Sequence, residues 1–330
     1  MPTTTPTRLA LAVGGPVLAV ALAASGCGED PDPRPAPAPD GPSYAVPEYD
    51  NDGELAPGLA ALALVPADAT TVTVTDFDAA RATLGVPELT SADLMSDRRD
   101  FWERAARETV LLAEGMLRDD TSELMLDHGF TQDDVDWEAH FTTPDGPGWI
   151  LSFRPDLDMA GVRRAVEAGV AGLGGAVVDA RRHLVTSGAA ADGEDTWGDR
   201  EDVRSLTDPA AAESTFYRSA CVPVVDALGP DAGVEDLMAV TKAHDIEILQ
   251  PVEAFGIGFA DGVATARLGV GRTDLFERSA VAEDWPTVGS VGFGDGFTRP
   301  VVDPSTGRIG WTVGDPRAAA GLTLTDALPF

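Results

Sequence analysis

Residues 214–229, STFYRSACVPVVDALG, lie without gaps on residues 70–85, TTVTVTDFDAARATLG: an alternating strand, a short helix and a Leu-Gly stop in each. Only three of the sixteen positions are identical, so the block alone says little. What constrains the fold is the order in which later pairs recur. Glu138-Ala139 returns as Glu253-Ala254, Asp145-Gly146 as Asp261-Gly262, Asp156-Leu157 as Asp274-Leu275, and Val177-Val178-Asp179 as Val301-Val302-Asp303. This common order points to a repeated supersecondary unit, whose first copy is the longer between Leu-Gly and Glu-Ala.

The first copy shows what that unit is. Residues 69–77 alternate like a strand, and 78–85 read as a helix stopping at Gly85. Phe101, Ala105, Thr109, Leu112, Ala113 and Met116 share one face of a helix predicted from Asp97 to Glu114, with Gly115 as its stop. Short helices follow around 121–136, with Thr121 and Thr131 as N-caps. EAHFTT, the turn PDGPG and WILSF make a hairpin, residues 159–170 a helix, and 175–180 and 183–187 two more strands.

The order β-α-β-β-α-β, with an additional strand, is the connectivity of a ferredoxin-like split βαβ unit. The expected class is therefore α+β, with two tandem ferredoxin-like units arising by internal duplication. The first covers residues 57–204 and carries a helical insertion at 91–136; the second covers 205–330. The competing reading is one α+β domain whose halves share common dipeptides by chance. Residues 188–204 read as a polar connection, with Trp197 exposed in it.

The residues before 57 are of another kind. Arg8 supplies a positive n-region and residues 9–24 an apolar run, and Ala24, Ser25 and Gly26 lead into Cys27. The run is short for a membrane span, and Gly14, Gly15 and Pro16 weaken it further. Small residues ending in cysteine resemble the lipobox of bacterial lipoproteins, although Ala24 stands where a leucine is usual. That resemblance implies a signal peptide over residues 1–26, lipidation of the Cys27 sulfur, cleavage before Cys27, and acylation of the new amino group. The other reading is an ordinary cleaved signal with an incidental cysteine. Residues 27–56 follow, with Pro31, Pro33, Pro35, Pro37, Pro39, Pro42 and Pro47 among acids and glycines. Such a tract forms neither helix nor sheet and favours polyproline II at about 3.1 Å per residue, which predicts a disordered stalk.

Charge and motif spacing remove several activities. With a net charge of −32, the surface repels phosphate backbones and anionic membrane faces alike, so no nucleic-acid partner is expected. His128, His140, His183 and His244 are scattered and form no zinc motif. Gly-x-Ser-x-Gly is absent, and GFGDG at 292–296 lacks a lysine and reads as a turn. Asp192, Glu194, Asp195, Asp199, Glu201 and Asp202 miss the EF-hand spacing and read as a solvated loop. Helix capping accounts for Asp76 and Asp78, and the six tryptophans read as core or hairpin aromatics. Cys221 aligns with Phe77, which predicts a buried, inert thiol. No catalytic, cofactor-binding or metal-ligating set is expected; lipidated Cys27 is the one assigned site.

With VPADATTVTVTDF at 65–77 as the most suggestive stretch, the whole resembles actinobacterial envelope lipoproteins, a resemblance that brings no activity with it. The expected role is non-catalytic binding or assembly on the extracytoplasmic face of the cell membrane. Its partners would be the membrane, through the Cys27 lipid, and an envelope protein or ligand. The alternative is a membrane-tethered hydrolase using carboxylates that cannot be picked out among 55 acids. A cleft with two converging carboxylates of raised pKa would favour the enzyme, and an apolar or aromatic patch without them the binder.

Overall fold

The computed structural model describes residues 49, 55–191, 193–207, 212–219, 222, 227–228, 232–285 and 290–329. Cys27, Cys221 and nearly all of residues 1–54 lie outside them. Ten strands form the frame: β1 (Thr71–Asp76), β2 (Val135–Thr143), β3 (Gly146–Phe153), β4 (Val177–Asp179), β5 (Leu184–Ser187), β6 (Ser214–Arg218), β7 (Phe255–Ala260), β8 (Val263–Arg267), β9 (Phe297–Asp303) and β10 (Arg308–Val313). They make one continuous antiparallel sheet in the order β4-β5-β3-β2-β1-β6-β7-β8-β10-β9. The main helices are α1 (Pro57–Leu62), α2 (Phe77–Thr83), α3 (Met95–Glu108), α4 (Met159–Ala168), α5 (Val234–Ala243), α6 (Leu275–Glu283) and α7 (Pro316–Leu324).

Outward from the β1–β6 seam, both halves run through the same sequence of strands. The agreement reaches single residues in the outer hairpins. Val178 pairs with Val185 and Asp179 with Leu184, while Val302 pairs with Ile309 and Asp303 with Arg308. Each aspartate then accepts from the backbone N–H two residues on, Arg181 in one hairpin and Ser305 in the other. At the seam Val72 pairs with Tyr217 and Thr73 with Phe216. On the alignment of 70–85 with 214–229, each residue thus faces the counterpart of its neighbour, as in an isologous contact.

Pairing departs from the expected ferredoxin-like units at β1. A split βαβ places a third strand between two parallel strands joined by a helix. β3-α4-β4 has that form, with β5 between, and β8-α6-β9 repeats it with β10 between. β1 and β2, by contrast, are direct antiparallel neighbours. The reason is the chain between them: α2, α3 and the segment after them run out and back, so that Asp76 at the end of β1 pairs with Trp137 near the start of β2. β1 is left on the rim of its half, where it pairs with β6.

Strand alternation gives the sheet two faces. One faces the helices and buries Phe77, Phe101, Phe130 and Phe153 in the first half, and Phe255, Ile257, Phe259 and Trp311 in the second. Asp158 caps α4 by accepting from the Ala160 N–H at 3.0 Å. Asp158→Ala should therefore cost about 1 kcal/mol in denaturant unfolding.

The other face is covered in the first half by α1 and the segment 188–204, which bury Val72, Val74, Trp137, Phe141 and Ile150. This corrects the reading of 188–204 as a mere connection. Trp197 is fully buried, not exposed. Its Nε1–H donates to the Ala69 carbonyl at 2.9 Å, its backbone N–H to that of Val65, and the Arg200 guanidinium lies 5.6 Å from the ring centroid. The surrounding polar residues masked a single apolar anchor.

Two local expectations also shift. α3 ends at Glu108, where extended Thr109 breaks it. Beyond it the chain crosses the seam, with Leu112 N–H donating to Ser214 Oγ and Ala113 N–H to Thr75 Oγ1. The apolar residues at 110–113 are buried as the pattern requires, but in irregular chain rather than on a helix face. Thr131 caps the turn Gln132–Asp134 as expected, whereas Asp120 precedes the turn Thr121–Glu123 and the Thr121 hydroxyl donates to Arg118 O. Among the described residues, no helix is long and apolar enough to cross a membrane.

Candidate functional site

Carboxylates do converge, around α2. Asp76 caps the helix, accepting from the Ala79 N–H at 2.9 Å, and burial pushes its pKa up to about 7. Asp78, in the first turn of the helix, lies 3.1 Å from Arg81 Nη2, and Asp136 on β2 lies 3.9 Å from the same nitrogen. Burial, and then the neighbouring Asp78 charge, raise the pKa of Asp136 well above the usual carboxylate range. What they surround is a wholly buried guanidinium: Arg81 Nη2 donates to the Val135 carbonyl at 2.7 Å and Nη1 to that of Asp133. Asp78 is the close ion-pair partner of this buried cation, which pins α2 to the start of β2.

The histidines stay apart. His128 closes the π turn Leu124–His128, His183 precedes β5, and His244 meets Asp284 at 3.0 Å. His140 Nε2 lies 2.5 Å from Glu138, a buried carboxylate that also accepts from the Met116 N–H and Gln132 Nε2. A base held by a carboxylate is half of a nucleophile-activating pair. Among the described residues, His140 makes no hydrogen bond to a serine, threonine or cysteine. The acids near Trp197 are mostly turn groups: Asp199 accepts from the Thr196 N–H, which lowers its pKa, and Asp202 pairs with Arg200 at 2.6 Å. Asp192 lies outside the described residues. Residues 293–296 of GFGDG form one helical turn closed by Asp295.

A different set of side chains lines a groove of about 580 Å³ between α3, residues 114–122 and the first residues of α7. Its floor is built on Asp133, buried and accepting from Arg98 Nη1 at 3.0 Å, Trp102 Nε1 at 2.8 Å and Thr131 Oγ1 at 2.9 Å. Trp102 packs edge-on against Phe77 and Phe101 on its core side. On its outer side the Arg118 guanidinium lies 4.5 Å from the ring centroid. Arg317 of α7 donates from Nε to the Ala106 carbonyl of α3 at 3.0 Å, so both halves of the chain supply the wall. None of Asp76, Asp78, Asp136, Glu138 and His140 lines this groove.

The acid readings from sequence therefore fall on structural sites, and the groove was not foreseen. Arg98 and Trp102 are spaced as neighbours on a helix, which is a weak signal. Nothing in the spacing brings Arg118 and Arg317 to them. No family model and no curated protein matches the chain. A solved structure described as "Structure of crystal form I of TP0453" is similar over 84% of this chain and 100% of its own, at 6% sequence identity and a TM-score of 0.32.

Proposed function

We propose that the chain is a lipid-anchored extracytoplasmic protein of binding or assembly type, tethered through Cys27 by the stalk of residues 27–56. Its body is a duplicated β-α-β-β-α-β-β unit whose two copies share one sheet. The mirrored strand order and the matched outer hairpins support the duplication. The groove is the observation that carries the binding reading. Its volume of about 580 Å³ falls within the range of small-molecule sites, roughly 300–1,000 Å³. Trp102 and Arg98 are fixed on Asp133 before any ligand arrives, so little ordering entropy remains to oppose binding. The hydrolase reading would draw on Asp78 and Asp136, which lie against the buried Arg81 guanidinium and outside the groove.

A photoreactive residue at position 99, exposed on the groove rim, tests this in cells making the anchored full-length chain. A discrete adduct is expected from position 99 and none from position 235, exposed on α5 in the second half. Equal adducts at both positions, or none at 99, would contradict the reading.

A further inference from the structure

We infer that the groove between α3 and α7 binds an oxyanion, a phosphate monoester or carboxylate, carried on a flat apolar body. This rests on the binding reading above and names the ligand class. The first observation is charge. The chain holds only 23 basic residues against 55 acids, yet Arg98, Arg99, Arg118 and Arg317 line one groove. On the other side of α3 a hollow of about 530 Å³ has the opposite character, lined by Glu88, Asp93, Asp97 and Asp100 with Arg104.

The second observation is unused donor capacity. A guanidinium has five N–H donors and no acceptor. Among the described residues, Arg118 spends one donor, from Nη1 to the Glu114 carbonyl, and Arg317 one, from Nε to Ala106. Arg98 is 8% exposed, and its buried Nε has no hydrogen-bond partner. Leaving such a group unpaired is costly, and an anion beside it offsets the cost.

The acids on the groove do not cancel this. Asp133 is consumed by Arg98, Trp102 and Thr131. Glu103 stands 3.9 Å from Arg99, and both are largely exposed, a pair that contributes little. Glu114 is the remaining carboxylate on the wall. Forked guanidinium donors suit carboxylate and phosphate oxygens. Met95, 70% exposed, offers apolar contact, and the Arg118 guanidinium, whose inner face lies over Trp102, offers a flat outer face on which a ring can stack.

Phenyl phosphate and benzoate are the probes, titrated against the full-length protein at low salt with calorimetry and tryptophan fluorescence. Saturable binding is expected for one or both, weakening as salt is raised. Binding of phenyl phosphate alone would identify the phosphate class, and equal binding of both a general oxyanion site. Arg118→Gln and Arg317→Gln should each weaken binding at least about tenfold, the scale of one charge-assisted hydrogen bond, with Tm lowered by no more than a few degrees, as expected for the loss of one exposed contact. No saturable binding of either probe, or binding that neither substitution weakens, would overturn the inference. A position-99 adduct without anion binding removes this inference and leaves the binding reading standing; the absence of both adduct and anion binding removes both.

Discussion

Replacing Trp197 with alanine should cost about 3–5 kcal/mol of stability, the range for emptying a large aromatic site in a packed core. The side chain is fully buried under α1 and the sheet, its ring meets Tyr217 edge-on at 6.5 Å, and its Nε1–H satisfies the Ala69 carbonyl. The alanine variant therefore loses packing and leaves a buried acceptor unpaired, two penalties that add. Trp197→Phe should fall between, since it keeps a ring but not the donor. Urea unfolding measures both. A loss under about 1 kcal/mol for Trp197→Ala would mean that 188–204 lies on the sheet without contributing to the core.

The second large effect is a fall in stability as pH rises from about 4 to about 8. Asp76 and Asp136 both have pKa values raised on folding, chiefly by burial. Between the unfolded value of 3.8 and the raised folded values, the folded chain holds protons that the unfolded chain has released. Stability from these groups is thus fully present below pH 3.8 and is lost as pH rises through the folded pKa, about 7 for Asp76. For Asp76, moved from 3.8 to about 7, this is roughly 4 kcal/mol at about 1.4 kcal/mol per pH unit.

Asp179, Asp199, Asp274 and Asp303 have lowered values and act in the opposite sense, but only at acid pH below 3.8. The two windows do not overlap. Asp76→Asn keeps an acceptor for the Ala79 N–H, so it should be near neutral at pH 5, stabilise at pH 9 and flatten the profile between. Wild-type stability that is constant or rises from pH 5 to 9 would sink this account of α2.

How far the sequence disclosed the fold depends on what kind of signal each feature leaves. Val177-Val178-Asp179 and Val301-Val302-Asp303 were legible because a strand followed by a turn aspartate is a local pattern, and the two hairpins share its register. Gly85 stops α2 with φ +76, a left-handed conformation that glycine adopts without strain. The β1–β6 seam left no such trace: both strands alternate as any half-buried strand does, and periodicity does not name a strand's neighbour. Trp197 was misread because six acids in its stretch outvoted one large ring. Arg81 was missed because a buried arginine has the same letter as an exposed one; only Val135 O and Asp133 O, more than fifty residues away, explain it. The groove is the extreme case, since Arg317 reaches Ala106 across 211 positions.

The central claim is that this acidic body works at a membrane because Cys27 carries the lipid that holds it there. Growth with an alkyne-tagged fatty acid, followed by mass analysis of the purified full-length protein, tests it most directly. The account predicts label on a chain whose first residue is Cys27, and an unlabelled Cys27→Ser variant that either keeps residues 1–26 or leaves the membrane fraction. Equal labelling of wild type and Cys27→Ser, or an unlabelled wild-type chain cleaved elsewhere, would contradict it.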